Sequence, residues 1–426
     1  MSIFLFVVFL VLIFINVPIS IALGTASLLF FLVSGSFPLE LIPQRMFAAL
    51  DSFPLMAAPF FILAGKLMEH GGISQRLIDF AQNLVGQMRG GLAHVGIVTC
   101  IFFAALSGSG SATTAAVGSI LIPYMVKEGY DRAFSTAVQA AGGTTGIVIP
   151  PSVPLILYGV SAGVSVSSLF IAGIIPGILV GLSLILVSYV VSVIKGYKGT
   201  QEKMNVKKLA LSFKSAFLSL LMPVIILGGI YGGIFTPTEA SVVAVVYGFF
   251  VGFFVYRQIS FAVLRKILVS SVVTTSVILL LISTASLFGM ILTRQRIPQA
   301  VAESFMDSPL TPIVIILLVN LFLLIVGTFM ETIASIIILT PILLPVVTSI
   351  GMDPVHFGIV MIVNLSIGLI TPPVGINLFV GSQVGEVAYE KLVRAIMPFL
   401  FMMIADVLII TFIPQISLFL VGVFES

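Results

Sequence analysis

Two kinds of residue in this sequence could do chemistry away from water: short runs of glycine with hydroxyl side chains, and adjacent prolines inside long apolar stretches. Ser107-Gly108-Ser109-Gly110-Ser111 is followed by Ala112, Thr113 and Thr114. Serine hydroxyls and turned backbone offer neutral oxygens suited to a desolvated monovalent cation, and the first amides of a helix starting there would face an anion. A nucleotide-binding phosphate loop would need a following lysine, and none stands there. A second run, Gly327-Thr328-Phe329-Met330-Glu331-Thr332, carries an acid instead of serines. An acid amid apolar residues is costly and is read first as functional. Its plainer role is to cap a helix start.

The prolines come as Pro150-Pro151, after Gly142-Gly143-Thr144-Thr145-Gly146-Ile147-Val148-Ile149, and as Pro372-Pro373, after Thr371. Two successive prolines remove two amide donors and bar the preceding residue from helical geometry. A helix must open there and leave carbonyls that lipid cannot satisfy. A structural kink is the bland alternative for one such pair; two at related positions weaken it.

The elements that position these groups follow from composition. Hydrophobic residues make up 59% of the 426-residue chain, 8% are charged, and mean hydropathy is +1.26. So few charges cannot cover a soluble surface, where about a quarter of residues are charged. The net charge of +3 gives no footprint for nucleic acid. Cys100 is the single cysteine, and His70, His94 and His356 match no metal-ligand spacing. The apolar runs are too long for barrel strands, so the chain is expected to be an all-α polytopic membrane protein of about ten or eleven spans. The start lacks the basic residues of a cleaved signal peptide.

Orientation follows from the basic loops. Lys195, Lys198, Lys203, Lys207, Lys208 and Lys214 face one acid, Glu202, and should be cytoplasmic. Arg257, Arg265 and Lys266, two spans later, return to that side, and Lys391, Arg394, Arg76, Arg89, Lys127 and Arg132 join them provided the segments around 107–111 and 327–332 are re-entrant hairpins. Both termini then face the periplasm.

The chain also contains its own copy. A shift of 222 positions, without gaps, places Pro123 on Pro345, Gly129 on Gly351, Asp131 on Asp353 and Gly146 on Gly368. The same shift places Pro150-Pro151 on Pro372-Pro373, Gly159 on Gly381, Gly163 on Gly385, Pro176 on Pro398 and Ser109 on Glu331. An odd number of crossings separates the copies, so the repeats are expected to be inverted. Inverted repeats with broken helices mark secondary transporters that bind near the bilayer midplane.

At Leu106 to Thr113, Gly143 to Pro151, Gly327 to Glu331 and Leu369 to Gly375, the sequence resembles the large membrane subunit of tripartite ATP-independent periplasmic (TRAP) transporters, the importers of C4-dicarboxylates and sialic acid. The resemblance extends over essentially the whole chain. It implies an elevator-type fold with two re-entrant hairpins and two broken helices, in the bacterial inner membrane. The implied transport-domain repeats are 90–168 and 310–385, and the scaffold is 1–89, 169–309 and 386–426. It implies uptake of a small organic acid driven by a sodium gradient, with two or more Na+ ions carried along. A small four-helix (Q-type) membrane subunit and a periplasmic (P-type) substrate-binding protein are the implied partners. One sodium site would use Ser107 and Ser109 with backbone oxygens at Gly146, Ile149 and Pro151; the second would use Gly327, Gly368 and Thr371. The carboxylate substrate would sit between the tips, lined by Ser109, Pro154 and Glu331, with Arg294 as a further candidate.

The runner-up is a sodium–dicarboxylate symporter of related architecture that needs no binding protein. A channel would need a continuous polar path, and an enzyme would need a nucleophile, metal or paired-acid constellation that the sequence lacks. Asp406 and Lys66 stand as single charges in apolar surroundings, and Glu239, after Thr236-Pro237-Thr238, reads as the acid of a helix start. With the basic loops inside, the Met352–Pro354 loop is periplasmic. A cysteine placed at Asp353 should react with an impermeant thiol reagent in intact spheroplasts; labelling only after the membrane is broken would reverse the topology.

Overall fold

The computed structural model describes residues 2–35, 38–199, 205–306 and 310–424, which are helical with no strand among them. Lys203 and Glu202 of the basic loop lie outside the described residues. The first stretch holds α1 (Ser2–Phe14), α2 (Ile19–Ser34), α3 (Leu41–Ala48), α4 (Ala57–His70) and α5 (Ile73–Val85). Then come α6 (Gly91–Ser107), α7 (Gly110–Lys127), α8 (Arg132–Val148), α9 (Val153–Ala162) and α10 (Val166–Lys195). The centre is α11 (Val206–Tyr231), α12 (Pro237–Phe250), α13 (Phe261–Arg294) and α14 (Ile297–Met306). The last are α15 (Pro312–Phe329), α16 (Thr332–Ser349), α17 (Pro354–Gly368), α18 (Ile376–Gly385), α19 (Tyr389–Phe412) and α20 (Gln415–Phe424).

Among the described residues, eight helical segments have the length and apolarity to cross a membrane, with α8 and α9 together forming one. That is fewer than the apolar runs suggested. The run at the N-terminus is cut at Pro18 into α1 and α2, and the last run is cut before α20 at Pro414. Of the resulting pieces, α1, α2 and α20, like α6 and α17, have 10–17 residues, too short at about 1.5 Å per residue to cross a core of about 30 Å upright.

Local chemistry sets the helix ends. Asp131 caps α8 by accepting from Phe134 N at 2.8 Å, and Asp353 caps α17 by accepting from Val355 N and His356 N at 2.8 and 3.0 Å. Before each cap, Gly129 and Gly351 take φ +87°, a left-handed turn that glycine adopts without steric cost. Glu239 closes a capping box with Thr236 at the start of α12. Both α7 and α16 have ends displaced by 222 positions from one another, and so do the starts of α8 and α17.

Packing sorts the helices into two groups. In one, α18 packs on α7 and α8, α16 on α9, and α17 on α8, α9 and α15, so the halves of the chain interlock. Arg132 fastens the same junction with hydrogen bonds to Gly385 O at 3.1 Å and Glu386 at 3.3 Å. In the other, α4 packs on α12 and α13, α13 on α2, and α11 on α5 and α12. Helices α10 and α19, placed in the scaffold from the sequence, pack on each other and on α8 and α17. Apolar composition cannot reveal this, because a face covered by protein and a face covered by lipid use the same residues. The apolar window of α8–α9 is 78% buried inside the protein and that of α11 is 22%, which makes the first a core element and the second a lipid-facing one.

A ladder of buried polar side chains ties α15, α17 and α19 together. Asn364 donates to Asn320 Oδ1 at 2.6 Å, Asn320 donates to Thr411 Oγ1 at 3.2 Å, and His356 Nε2 lies 3.2 Å from Thr411 O. Asp406, also buried, accepts from Ser183 Oγ and so links α19 to α10. Interhelical hydrogen bonds in a membrane contribute about 0.6 kcal/mol on average and up to about 1.7. Asn364→Ala should therefore destabilise the fold by a free energy of that order, seen as a lowered unfolding midpoint in detergent, without altering cavity chemistry. An unchanged midpoint in a thermal-shift assay would show the ladder to be dispensable.

Candidate functional site at the helix turns and proline breaks

Helix α6 stops at Gly108, which takes φ +59° and returns its amide to Ala104 O. Ser109 follows in extended conformation and caps α7, accepting from Ala112 N at 3.4 Å. Its carbonyl is encircled by hydroxyls: Thr113 Oγ1 donates to Ser109 O at 2.7 Å and lies 2.9 Å from Ser107 Oγ, which itself reaches Ser109 O at 3.4 Å. The α15–α16 turn repeats this plan. Glu331 caps α16, its Oε2 accepting from Ile333 N at 2.9 Å and Ala334 N at 3.2 Å, and Ser335 Oγ donates to Glu331 O at 3.1 Å. The acid is thus a helix cap, the plainer of its two roles, and its side chain is also open to a cavity.

Each turn is pressed against a proline break. Pro150 and Pro151 remove the amides that Gly146 O and Ile147 O would meet in a continued helix. Ser152 Oγ takes over Ile147 O at 2.7 Å, and Ile149 N closes the last turn on Thr145 O at 3.0 Å. A methyl built on Gly146 would lie 2.5 Å from Ser109 O and 2.9 Å from Thr113 Oγ1, so only glycine lets the turn approach this closely. On the other side of the turn, Gly108 faces Pro151 O. In the second half Gly327 and Gly368 meet backbone to backbone, and a methyl on Gly368 would collide with Gly327 O. There α17 ends in tight turns, with Thr371 N donating to Gly368 O at 3.2 Å and Thr371 Oγ1 to Ile367 O at 2.7 Å. Asn377 N takes Leu369 O at 2.9 Å, and Tyr389 from α19 donates to Pro373 O and Val374 O, both at 2.9 Å. Both Pro-Pro bonds are cis.

The two turns open onto one cavity of about 410 Å³. Ser107, Ser109, Pro154 and Glu331 all line it, from the turns and the start of α9. Gly146, Ile149, Pro151, Gly327, Gly368 and Thr371 are not on its surface; Gly146, Pro151, Gly327 and Gly368 lie behind it, at the turn–break junctions. Arg294 does not line it. That residue ends α13, sixteen positions beyond the cavity residue Ile278, or about 24 Å along a helix at 1.5 Å per residue. The sequence reading missed the wall facing the turns, where Gly65, Lys66 and Glu69 of α4 and Thr274 and Ile278 of α13 stand. It also passed over Thr113, although that hydroxyl completes the ring about Ser109 O. Lys66 was the one signal for the missed wall, as a lone cation in an apolar stretch. Among the described residues no three His, Cys, Asp or Glu side chains gather as metal ligands; the first turn presents neutral oxygens, and the second adds the Glu331 carboxylate.

A multi-helix membrane protein whose interrupted helices border a small cavity, mostly apolar with a few serine, lysine and glutamate side chains, has the make-up of a membrane transporter. Among solved structures the chain is similar to the YdaH transporter of Alcanivorax borkumensis, with TM-score 0.64 over 88% of this chain and 87% of that one; at 13% identity the likeness is one of fold. The family of the DctM component of tripartite ATP-independent periplasmic transporters matches residues 6–416, and the chain belongs to that family as a large permease subunit. It is 47% identical over 408 residues to an isethionate TRAP transporter permease protein of Oleidesulfovibrio alaskensis, covering 96% of this chain and 64% of that longer protein. It is 44% identical to a C4-dicarboxylate TRAP transporter large permease of Pseudomonas aeruginosa, covering 93% of each, and 39% identical to a sialic acid TRAP large permease of Vibrio cholerae, covering 97% and 96%. These relatives are named as transporter permeases, not enzymes.

The glycine contacts carry a direct test. Gly146→Ala and Gly368→Ala should each abolish transport, because the atoms they meet are backbone or a neighbouring hydroxyl that cannot withdraw. Gly228→Ala, with open space around it, should transport normally. Normal uptake by Gly368→Ala in proteoliposomes would refute the close turn–break contact.

Proposed function

We propose that this subunit takes up a small organic acid across the bacterial inner membrane, driven by a sodium gradient, by an elevator movement. The observation that carries the reading is the pair of capped turns, each closed on its own proline break and both opening onto one cavity. A glycine-lined junction of carbonyls and hydroxyls suits a monovalent cation, and a cavity of this size suits a small organic anion. In this reading the turns are re-entrant hairpin tips and the 222-residue correspondence is an inverted repeat. Ser107, Ser109, Gly146, Ile149 and Pro151 form one sodium site and Gly327, Gly368 and Thr371 the other. Gly146 O, robbed of its helical donor by Pro150, is an acceptor well suited to a cation. Ser109, Pro154 and Glu331 meet the substrate. Glu331 couples the two cargoes, since its charge beside the substrate is tolerable only when a cation is bound nearby.

The substrate is a small carboxylate, or a sulfonate of the kind named for the isethionate relative. A periplasmic binding protein would deliver it, and a small membrane subunit would complete the complex, both termini of this chain facing the periplasm. The interlocked helices α6–α9 and α15–α18, with α10 and α19 packed on them, form the moving body; α2, α4 and α11–α13 form the fixed one.

Ser107→Ala and Thr371→Ala should each raise the sodium concentration needed for half-maximal uptake by roughly tenfold, the scale of losing one ligand bond of about 1.5 kcal/mol. Uptake into liposomes containing the full complex, measured against sodium concentration, gives the comparison. Unchanged sodium activation in both variants would refute the sites. Glu331→Gln keeps the shape and one capping acceptor, so it should fold, transport slowly and respond differently to sodium.

A further inference from the structure

The wall opposite the turns holds the one basic side chain that lines the cavity among the described residues, Lys66. Its Nζ donates to Ser270 Oγ at 2.6 Å and Thr274 Oγ1 at 3.0 Å, both on α13. An ammonium has three donors, so this pair orients it and leaves one N–H uncommitted. Both partners are neutral, and among the described residues no carboxylate lies within ion-pair distance of Lys66. Glu69, three residues along α4, acts on it through space without closing an ion pair, so the ammonium stands unpaired beside a cavity whose other charged residues, Glu69 and Glu331, are acids. An anion entering that space would be repelled by both unless it met the lysine or a bound cation.

The neighbouring residue marks where the wall touches the first turn. A methyl on Gly65 would lie 3.1 Å from Leu106 O and 3.2 Å from Ser107 Cα, so α4 and the α6–α7 turn meet one residue from Lys66. A ligand held by Ser109 is thereby brought within the same small cavity as the ammonium. We propose that Lys66 is a substrate-recognition residue on the fixed wall: its free N–H takes a carboxylate or sulfonate oxygen, while the turn hydroxyls and the capped start of α7 hold the rest of the molecule. This rests on the transport reading above, and it assigns anion recognition to the wall rather than to the moving body alone.

The test uses the purified complex with its small subunit, without binding protein, titrated with isethionate and with succinate in sodium or potassium buffer while its thermal unfolding is followed. Wild type should be stabilised by at least one of the two anions in sodium. Lys66→Met, which keeps the apolar stem, should require roughly tenfold or more of that anion, the scale of one hydrogen bond to a charged group. Its response to sodium alone should stay as in wild type, and Lys66→Arg should recover part of the anion response. Ser270→Ala removes one strut between α4 and α13 but keeps the charge; it should unfold earlier and still respond to the anion. A wild-type anion midpoint in Lys66→Met overturns the assignment and leaves the transport reading intact. Loss of the anion response in Ser270→Ala equal to that in Lys66→Met would reduce the lysine to a strut and overturn it as well. A wild-type complex that responds to neither anion nor sodium overturns both readings together.

Discussion

Where a helix stops inside a bilayer, its last carbonyls and the next amides lose their intrahelical partners, and lipid offers none in exchange. Much of this molecule is arranged around that constraint at Pro150-Pro151 and Pro372-Pro373. Ser152 Oγ, Thr371 N, Asn377 N and the Tyr389 hydroxyl each take a carbonyl at one break or the other. They come from the break itself, from the following helix and, for Tyr389, from α19. The interlocking of the halves follows from the same demand, since irregular backbone is tolerated only inside protein or along a wet cavity. Pro150 also takes away the helical donor of Gly146 O, and Gly146 itself packs against Ser109 O of the facing turn.

The two breaks are solved differently, and the turns that face them differ accordingly. In the first half a serine side chain replaces a missing amide, and the turn sets the Ser107 and Thr113 hydroxyls about the Ser109 carbonyl. In the second half the chain tightens through Leu369, Ile370 and Thr371, and the facing turn meets it backbone to backbone at Gly327 and Gly368. A capping serine on one side and a capping glutamate on the other give the shared cavity one neutral and one acidic corner. Lys66 on the third side offsets part of that acidity.

Polar groups elsewhere in the membrane interior act as fasteners. The Asn320–Asn364–Thr411 ladder and the Ser183–Asp406 contact each join α19 to a helix distant in sequence. In an environment with little hydrophobic preference between one helix partner and another, such contacts and close small-residue packing decide which helices associate. They account for α10 and α19 belonging with the interlocked body, where their apolarity alone would also have let them face lipid.

Much was legible in the sequence because it rests on local rules. So few charges require lipid around the chain, adjacent prolines break a helix wherever they fall, and Asp131 and Asp353 are strong helix caps in any context. The turns, the breaks and the 222-residue correspondence could be located for that reason; Ser109, Pro154 and Glu331, named after the resemblance, line the cavity onto which the turns open. Arg294 was misplaced, and the wall of Gly65, Lys66, Glu69, Thr274 and Ile278 was missed, because both depend on which helix stands opposite which. Periodicity and composition describe one helix at a time; the neighbour is chosen by packing and interhelical hydrogen bonds between residues some two hundred positions apart. The sequence by itself determined where this chain must leave the helix inside the membrane. Only the tertiary structure decided that α4 and α13 close the space in front of those openings, because a cavity needs walls brought together from separate helices.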